Sequence, residues 1–551
     1  MLRRMRMRSL WMKLLAAVIS GLLAAGMFPP FKFGFLVWIA LMPLLAALWS
    51  FEPERAGWKG FLTGWLAGTA SCLVQFQWVS VVSWLGAILL PLYLGLYWGL
   101  FGAFAATLGK PRAGEEKPSP LRTAFFLAAV WAGLEWLRGW MLTGFGWNSL
   151  GTAFGETPVF AQSADLLGMT GLSMLPVFFQ AVLLQSLPRL KQARRPLGFA
   201  VLVVCLAAIY GAIRINNERN AESTRLKAML VQINVPQDAT RMLWEPVEIH
   251  MAYEEETLKG LAAAGANHPD WVLWPESALP GGFLRGPDGA WGCFPEIQHS
   301  ISQIRQNEPF QLVFGTTEWE AEPTPDGQLV QRDRGQAWNS IAVMSPEGEL
   351  QTYRKQHLVI FGETIPFVDS LPWLKAIYEQ QAGVQFTGSF TAGISDEPLR
   401  IPKSDGSVLS AMPTICFEDS VPRLVRKSVR PESQVIVNVT NDGWFKESAA
   451  AAQHFSDARF RAIELRRPML RCANTGVSAA IDSTGSTAHP DTGKPQILTD
   501  AKGSHFTRGS LLAELKVPLK PSFSLYALIG DWGVIGLAIT SVVWAWRKRK
   551  S

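Results

Sequence analysis

Fifty consecutive residues, Gly60–Gly109, contain no Asp, Glu, Lys or Arg. At ~1.5 Å per residue, one helix of that length would far exceed the ~30 Å hydrocarbon core of a bilayer. The stretch must fold back on itself, and a turn is expected near Ser80–Ser83. Leu14–Phe31 and Phe33–Phe51 are also long and apolar, each with Lys32 at its edge, and further apolar runs lie at about 122–142, 164–187, 197–215 and 525–546. Counting two passes for Gly60–Gly109, eight transmembrane spans are expected.

The cations fall between these runs in a fixed alternation. Met1–Arg8, the 52–59 loop, Lys110–Arg122, Arg189–Arg195 and the last residues Arg547, Lys548, Arg549 and Lys550 are basic, whereas the loops near 29–32, 80–83 and 143–163 contain one Lys, Lys32, and no Arg. Lys and Arg accumulate on the cytoplasmic side of short loops. Both termini are therefore expected inside and the polar segment 216–524 outside. A cleaved signal peptide is the alternative reading of the first run. The Pro-rich turn and second span that follow favour a retained helix.

Net charge says little until it is divided. The 551 residues carry +6 overall, but residues 1–215 hold 18 Lys and Arg against 7 Asp and Glu, whereas residues 216–546 hold 29 against 38. The positive charge lies beside the apolar runs, not in the polar segment, so a nucleic-acid partner is not expected. Five cysteines are too few for a disulfide framework in a chain this long. Cys72 and Cys205 lie in apolar runs, which leaves Cys293, Cys416 and Cys472. Within the spans, Glu135 and Arg138 are three apart and can share a helical face. Asp165, Arg214 and Asp531 lie near span edges, where structural roles are favoured.

The polar segment interleaves strands and helices. Leu226–Val235, Trp271–Trp274, Gln311–Gly315, Ser340–Met344, Val408–Cys416 and Val435–Val439 read as strands; Glu248–Ala264, Ile297–Gln306 and Ala449–Arg466 have helical spacing. Met469–Ala473 and Val477–Ile481 read as a strand pair. This pattern predicts an α/β layered domain. The expected domains are a seven-span bundle over 1–215, an extracytoplasmic domain over 216–524, and an eighth span with a basic tail over 525–551.

Three segments place a reactive group at a strand end: Trp274-Pro275-Glu276, Arg354-Lys355-Gln356 and Ile415-Cys416-Phe417-Glu418. A carboxylate, an ammonium and a thiol can serve as general base, charge stabiliser and nucleophile. Taken singly, each also has a plain reading, the Cys as a small hydrophobe and the Lys as a solvated cation. His454 with Asp457 reads as a helix face, and no metal or cofactor is expected.

Together and in this order, the three segments resemble the nitrilase superfamily of carbon–nitrogen hydrolases, whose Glu–Lys–Cys triad sits on an α-β-β-α sandwich. The eight spans, Phe361-Gly362-Glu363, Asn441-Asp442-Gly443-Trp444-Phe445, Gln453-His454, Arg461–Pro468 and Asn474-Thr475-Gly476 narrow this to a resemblance to the membrane-anchored apolipoprotein N-acyltransferases. The resemblance implies Glu276 as general base, Lys355 as stabiliser of the tetrahedral intermediate and Cys416 as nucleophile. It further implies supporting roles for Glu363 and Glu418, an oxyanion-donating N–H at Phe417, and a substrate-binding Trp244. The implied partners are a phospholipid acyl donor, a diacylglyceryl-cysteine apolipoprotein acceptor and the bilayer, in a bacterial inner membrane with the catalytic domain on the periplasmic side. Phe417 stands where the family usually has Tyr, Ile360 where it has Pro, Lys446 where it has Gly, and Ala450-Ala451 where it has Gly-Pro. A tethered amidase acting on small substrates is the alternative, and a transporter with a sensing domain is a more distant one. Phe361, Pro366, Phe367, Leu371, Pro372, Trp373 and Leu374, close after Lys355, supply an apolar rim that favours lipid.

Overall fold

The computed structural model describes residues 7, 9–111, 119–238, 241–305, 309–360, 362–365, 373, 375–376, 379–380 and 389–550. The chain divides into two compact units, one of residues 1–220 with 523–551 and one of 221–522.

The first unit is helical. Its main helices are Leu10–Ala25, Met42–Trp49, Ala56–Gln75, Trp84–Ala106, Pro120–Arg138, Ala164–Leu172, Met174–Ser186, Arg194–Arg219 and Trp532–Lys550. Trp84–Ala106 and Arg194–Arg219 are each long and apolar enough to cross a membrane alone. Ala164–Leu172 and Met174–Ser186 pass that test only as a pair, bent by 59°. The charge-free stretch does fold back: Ala56–Gln75 ends at Phe76, Gln77–Val81 forms a short 3-10 turn, and Ser83 caps the next helix by accepting the Gly86 N–H at 3.0 Å. Met1–Arg6, Arg8 and most of the basic 110–122 loop lie outside the described residues.

Small residues let the two arms of this fold-back touch. A β-carbon on Gly64 would lie 2.2 Å from the Trp98 carbonyl oxygen, and one on Gly102 would lie 2.2 Å from that of Gly60. Only glycine permits such an approach of two helix backbones. Large apolar side chains face outward instead, among them Leu202, Leu206, Ile209 and Ile213 on Arg194–Arg219, and Trp11, Leu15 and Leu22 on the first helix. Aliphatic surface of this kind is costly in water and suits a lipid solvent.

Glu135 and Arg138 do not pair with each other as their spacing allows. Glu135 accepts the indole N–H of Trp131 at 2.9 Å and the backbone N–H of Leu150 at 2.8 Å, while Arg138 donates to the carbonyls of Gly146 and Trp147 at 3.0 and 2.9 Å. Both clamp the segment after their helix, whose backbone groups would otherwise be buried unsatisfied. Arg214 pairs with Asp165 at 2.9 Å, and Asp531 accepts from Trp136 and Tyr526.

The second unit is an α-β-β-α sandwich. Its strands are β1 (Ser223–Gln232), β2 (Gln237–Asp238), β3 (Arg241–Met242), β4 (Trp271–Arg285), β5 (Trp291–Cys293), β6 (Gln311–Pro323), β7 (Leu329–Gln331), β8 (Ala337–Met344), β9 (Leu350–Arg354), β10 (Leu399–Pro402), β11 (Val408–Ile415), β12 (Ser433–Thr440), β13 (Met469–Ala473), β14 (Ala479–Ile481) and β15 (Gly509–Pro518). One sheet runs β15-β1-β4-β6-β8-β9 and the other β10-β11-β12-β13-β14. The centre of each is parallel: β1, β4 and β6 in the first, and β11, β12 and β13 in the second.

Strand alternation sorts the core into layers. Leu226, Ala228 and Leu230 of β1 face the sandwich interior with Leu273, Val437, Val439, Leu470 and Leu515. Met229 and Val231 face the other way, beneath the helices Pro246–Ala264 and Pro295–Arg305, with Ile249, Tyr253 and Ile301. The helix Ala449–Leu465 belongs to the second sheet's half and is buried along most of its length. Parallel central strands point their carboxyl ends to one edge, where ligands bind in open α/β sheets. The three reactive segments lie at that edge.

Candidate active site

Each reactive side chain is delivered by a local break in regular structure. Cys416 follows β11 with φ of 51°, a left-handed conformation that turns the chain sharply out of the strand into the 3-10 turn Cys416–Ser420. Glu276 lies within β4, where the pairing with β6 slips between Trp274 and Leu279, and Ser277 beside it has φ of 56°. The facing strand makes room for this bulge at Gly315, where a β-carbon would lie 2.5 Å from the Glu276 Cα. Lys355 is the first residue after β9.

These breaks bring the charges together. Lys355 Nζ lies 3.3 Å from Glu276 Oε1 and 2.9 Å from the Glu363 carboxylate, and all three side chains are buried. Burial opposes the charge on Lys355, but the carboxylates of Glu276 and Glu363, together with Cys416, hold its pKa well above the usual lysine range. The ammonium is therefore permanent. Burial and the Glu276 charge push the Cys416 thiol well above its ordinary pKa, only partly opposed by Lys355. At rest Cys416 therefore carries a thiol and not a thiolate, and a thiol needs a base to attack.

Asn339 is the residue that sequence reasoning missed. Its Nδ2 donates to Glu276 Oε1 and to Glu363 Oε1, both at 2.7 Å, and its backbone carbonyl accepts the Lys355 N–H at 2.8 Å. One residue thus holds both carboxylates through its side-chain amide and the lysine's backbone through its own carbonyl. In sequence it is an unremarked polar residue at the start of a strand. Its inward position next to a Trp was the available signal.

Glu418 is fully buried and does not act on the thiol directly. It accepts the backbone N–H groups of Gln356 at 2.7 Å, His357 at 3.0 Å and Ile415 at 2.9 Å, and the Tyr353 hydroxyl at 3.0 Å. The turn bearing Cys416 is thereby fastened to the segment bearing Lys355. Burial raises its pKa to about 7 against the pull of those backbone N–H groups. The Phe417 ring stacks on His357 with centroids 5.9 Å apart. Trp244 is half-buried and packs on the helix-covered face of the first sheet, next to a capping box in which Glu245 and Glu248 close the start of Pro246–Ala264. No described hydrogen bond ties it to the triad.

The apolar rim expected after Lys355 is described only at Trp373, whose side chain is largely exposed. Phe361, Pro366, Phe367, Leu371, Pro372 and Leu374 lie outside the described residues. All five cysteines are free thiols. Cys472 is enclosed in the sandwich interior, where it donates to the Leu273 and Val231 carbonyls. Among the described residues, no group of three or more His, Cys, Asp or Glu side chains could hold a metal ion.

The profile of the apolipoprotein N-acyltransferase N-terminal domain matches residues 20–182, and that of carbon-nitrogen hydrolases matches residues 227–501. The apolipoprotein N-acyltransferase of Bradyrhizobium diazoefficiens is 32% identical over 565 residues, covering 98% of this chain and 95% of its own length. The chain belongs to the apolipoprotein N-acyltransferase family. The Geobacter metallireducens member is 34% identical, covering 86% of this chain and 85% of its own. As a member of that family the chain is an N-acyltransferase with a nitrilase-like α/β domain, and the resemblance seen in its motifs is upheld.

Proposed function

We propose that the protein moves an acyl chain from a membrane phospholipid, by way of a Cys416 thioester, to the N-terminal amine of a diacylglyceryl-cysteine on an apolipoprotein. The observation that carries this reading is a buried Lys355 held between Glu276 and Glu363 at the strand ends where Cys416 emerges. The names of full-length relatives support the substrates and do not favour a tethered amidase.

In the first half-reaction Glu276 takes the thiol proton as Sγ attacks the ester carbonyl carbon. Lys355 and the Phe417 N–H hold the oxyanion that develops. The carbon–oxygen ester bond breaks, the lysophospholipid oxygen takes the proton from Glu276, and a thioester remains. In the second, the lipoprotein amine attacks that thioester and gives its proton to Glu276. Breakdown of the tetrahedral adduct expels the sulfur, which recovers the proton, and the amide is formed. Two steps sharing one base give ping-pong kinetics. Glu363, Glu418 and Asn339 position the reacting groups, and Trp244 contacts substrate.

The same reading assigns eight spans, seven in 1–215 and one in 525–546, with 216–524 on the periplasmic side of the inner membrane and both termini cytoplasmic. The outward apolar faces of the helical unit and the basic alternation of its loops support it.

Incubation of purified full-length protein with phospholipid in detergent, followed by intact mass, tests the proposal. An acyl adduct is expected on the wild type and on a variant lacking both Cys293 and Cys472, and none on Cys416→Ala. An adduct on another residue, or none with any phospholipid, overturns it.

A further inference from the structure

Behind the nucleophile lies a second charged assembly that the mechanism above does not use. His454, Asp419, Asp442 and Arg471 are each at most 1% exposed. They come from four places in the fold: Asp419 from the turn that begins at Cys416, Asp442 from the turn after β12, His454 from the helix Ala449–Leu465, and Arg471 from β13. His454 lies on a helix, as its spacing predicts, and that helix turns it inward.

Both ring nitrogens of His454 meet a carboxylate. Nδ1 lies 2.7 Å from Asp442 Oδ1, and Nε2 lies 2.7 Å from Asp419 Oδ1. A neutral imidazole has one N–H and would turn a lone pair toward one of these oxygens at contact distance. Arg471 Nη2 also lies 3.0 Å from Nδ1, so that nitrogen faces both a carboxylate and a guanidinium; with a carboxylate 2.7 Å from each ring nitrogen against a single cation, the balance holds the ring as the imidazolium. Arg471 completes the set, with Nη2 3.3 Å from Asp442 Oδ2, Nε 3.6 Å from Asp419 Oδ2, and Nη1 donating to the Val477 carbonyl at 2.7 Å. Two carboxylates then face two cations and the assembly is neutral. Gly476, at φ of 100°, gives Asp442 its room, since a β-carbon there would lie 2.4 Å from Asp442 Oδ2.

The assembly acts on the thiol in two ways. Asp419 is three residues beyond Cys416 in the same turn, so its anchoring constrains the left-handed elbow. Asp442 and Arg471 are also within electrostatic reach of Cys416, the first disfavouring a thiolate. We propose that His454 is a positioning residue for Cys416: as an imidazolium between Asp419 and Asp442, it fixes the nucleophile's turn and cancels the negative charge behind the thiol. Burial works against that cation, but the two carboxylates outweigh it and raise the His454 pKa to about 9. Besides this assembly, the charged groups facing the thiol are Glu276 and Lys355. The inference rests on Cys416 being the nucleophile.

The test follows alkylation of Cys416 by iodoacetamide across pH, read by peptide mass on the full-length protein in detergent, together with acyl-enzyme formation. In His454→Gln the alkylation midpoint is expected to rise by a unit or more. Acyl-enzyme formation at pH 7.5 is expected to fall at least tenfold, with KM for phospholipid within twofold of wild type. His454→Gln combined with Asp442→Asn restores neutrality, leaves Asp419 with Arg471 in the turn, and is expected to recover most of the rate. A midpoint that does not move in a folded His454→Gln, or a double variant as slow as the single one, overturns the proposal. Should His454→Gln not fold, nitrogen NMR of the labelled wild-type histidines decides: two protonated ring nitrogens on His454 at pH 7 are expected, and one bare nitrogen overturns it. A wild type that alkylates as expected but acquires no acyl adduct would sink the acyl-transfer reading alone.

Discussion

The Lys355 ammonium lies closer to Glu363, at 2.9 Å, than to Glu276, at 3.3 Å. Glu363 therefore carries the tighter half of the ion pair, and besides the Asn339 amide it accepts the Val359 N–H at 2.9 Å, which anchors it to the backbone. Glu276 is the carboxylate proposed above to take the thiol proton. Lys355→Met leaves two buried carboxylates without their cation, which costs about 3–5 kcal/mol when one partner of a buried pair is removed. A large fall in the thermal midpoint and loss of the acyl adduct are expected. Glu276→Gln keeps the shape and removes the base. Near-wild-type stability with at least a hundredfold slower acyl-enzyme formation is expected, measured by rapid-quench intact mass.

Asn339 binds both carboxylates through one amide. Asn339→Ala leaves both without that donor, and Asn339→Asp adds a third negative charge. Losing a hydrogen bond to a charged group costs about 1.5–3 kcal/mol. Acyl-enzyme formation is expected to fall roughly ten- to a hundredfold in the first variant and further in the second.

Glu418 joins the nucleophile's turn to the lysine's strand through three backbone N–H groups and one hydroxyl. Glu418→Gln replaces an acceptor oxygen by an NH2 group aimed at donors. A drop in the thermal midpoint and slower acylation are expected together, because one carboxylate sets both segments. An unchanged midpoint would show that the turn holds without it.

The pH dependence of stability has a defined sign. The folded-state pKa of His454, about 9, lies above its ordinary value of 6.5. The folded state keeps a proton that the unfolded chain releases, so the stabilisation is complete below about 6.5 and is lost as pH rises through 9. The shift corresponds to a contribution on the order of 3 kcal/mol. The thermal midpoint of the wild type is expected to fall between pH 6.5 and 9 more steeply than that of His454→Gln.

The helical unit yields a prediction of packing. Gly64→Leu would drive a side chain into the Trp98 carbonyl, where even a β-carbon lies at 2.2 Å. Overpacking typically costs about 1–3 kcal/mol. Lower detergent stability is expected, with Cys416 alkylation in the surviving folded fraction unchanged.

Much of this protein is legible in one dimension. Long apolar runs, and the cations between them, are local signals, because a bilayer tests each segment for its own hydrophobicity. Short, largely apolar runs mark β1, β4 and β12 for the same reason: a strand covered on both faces must itself be apolar. Glu276, Lys355 and Cys416 stood out as candidates because each carries a reactive group at a strand end, and the fold brings the three into one another's electrostatic reach.

What sequence could not decide was who meets whom. Glu135 and Arg138 share a helical spacing but turn to backbone groups of the next segment, since satisfying buried carbonyls and N–H groups outweighs a convenient pairing. Asn339, the clamp of Glu418 and the imidazolium of His454 depend on partners mostly 12 to 65 positions away in the chain. Side-chain chemistry and periodicity, which act over a few residues, determined the two kinds of solvent this chain inhabits and the groups it can react with. Tertiary structure alone decided their charge states, because a proton's place depends on burial and on partners that only the folded sheets bring within 3 Å.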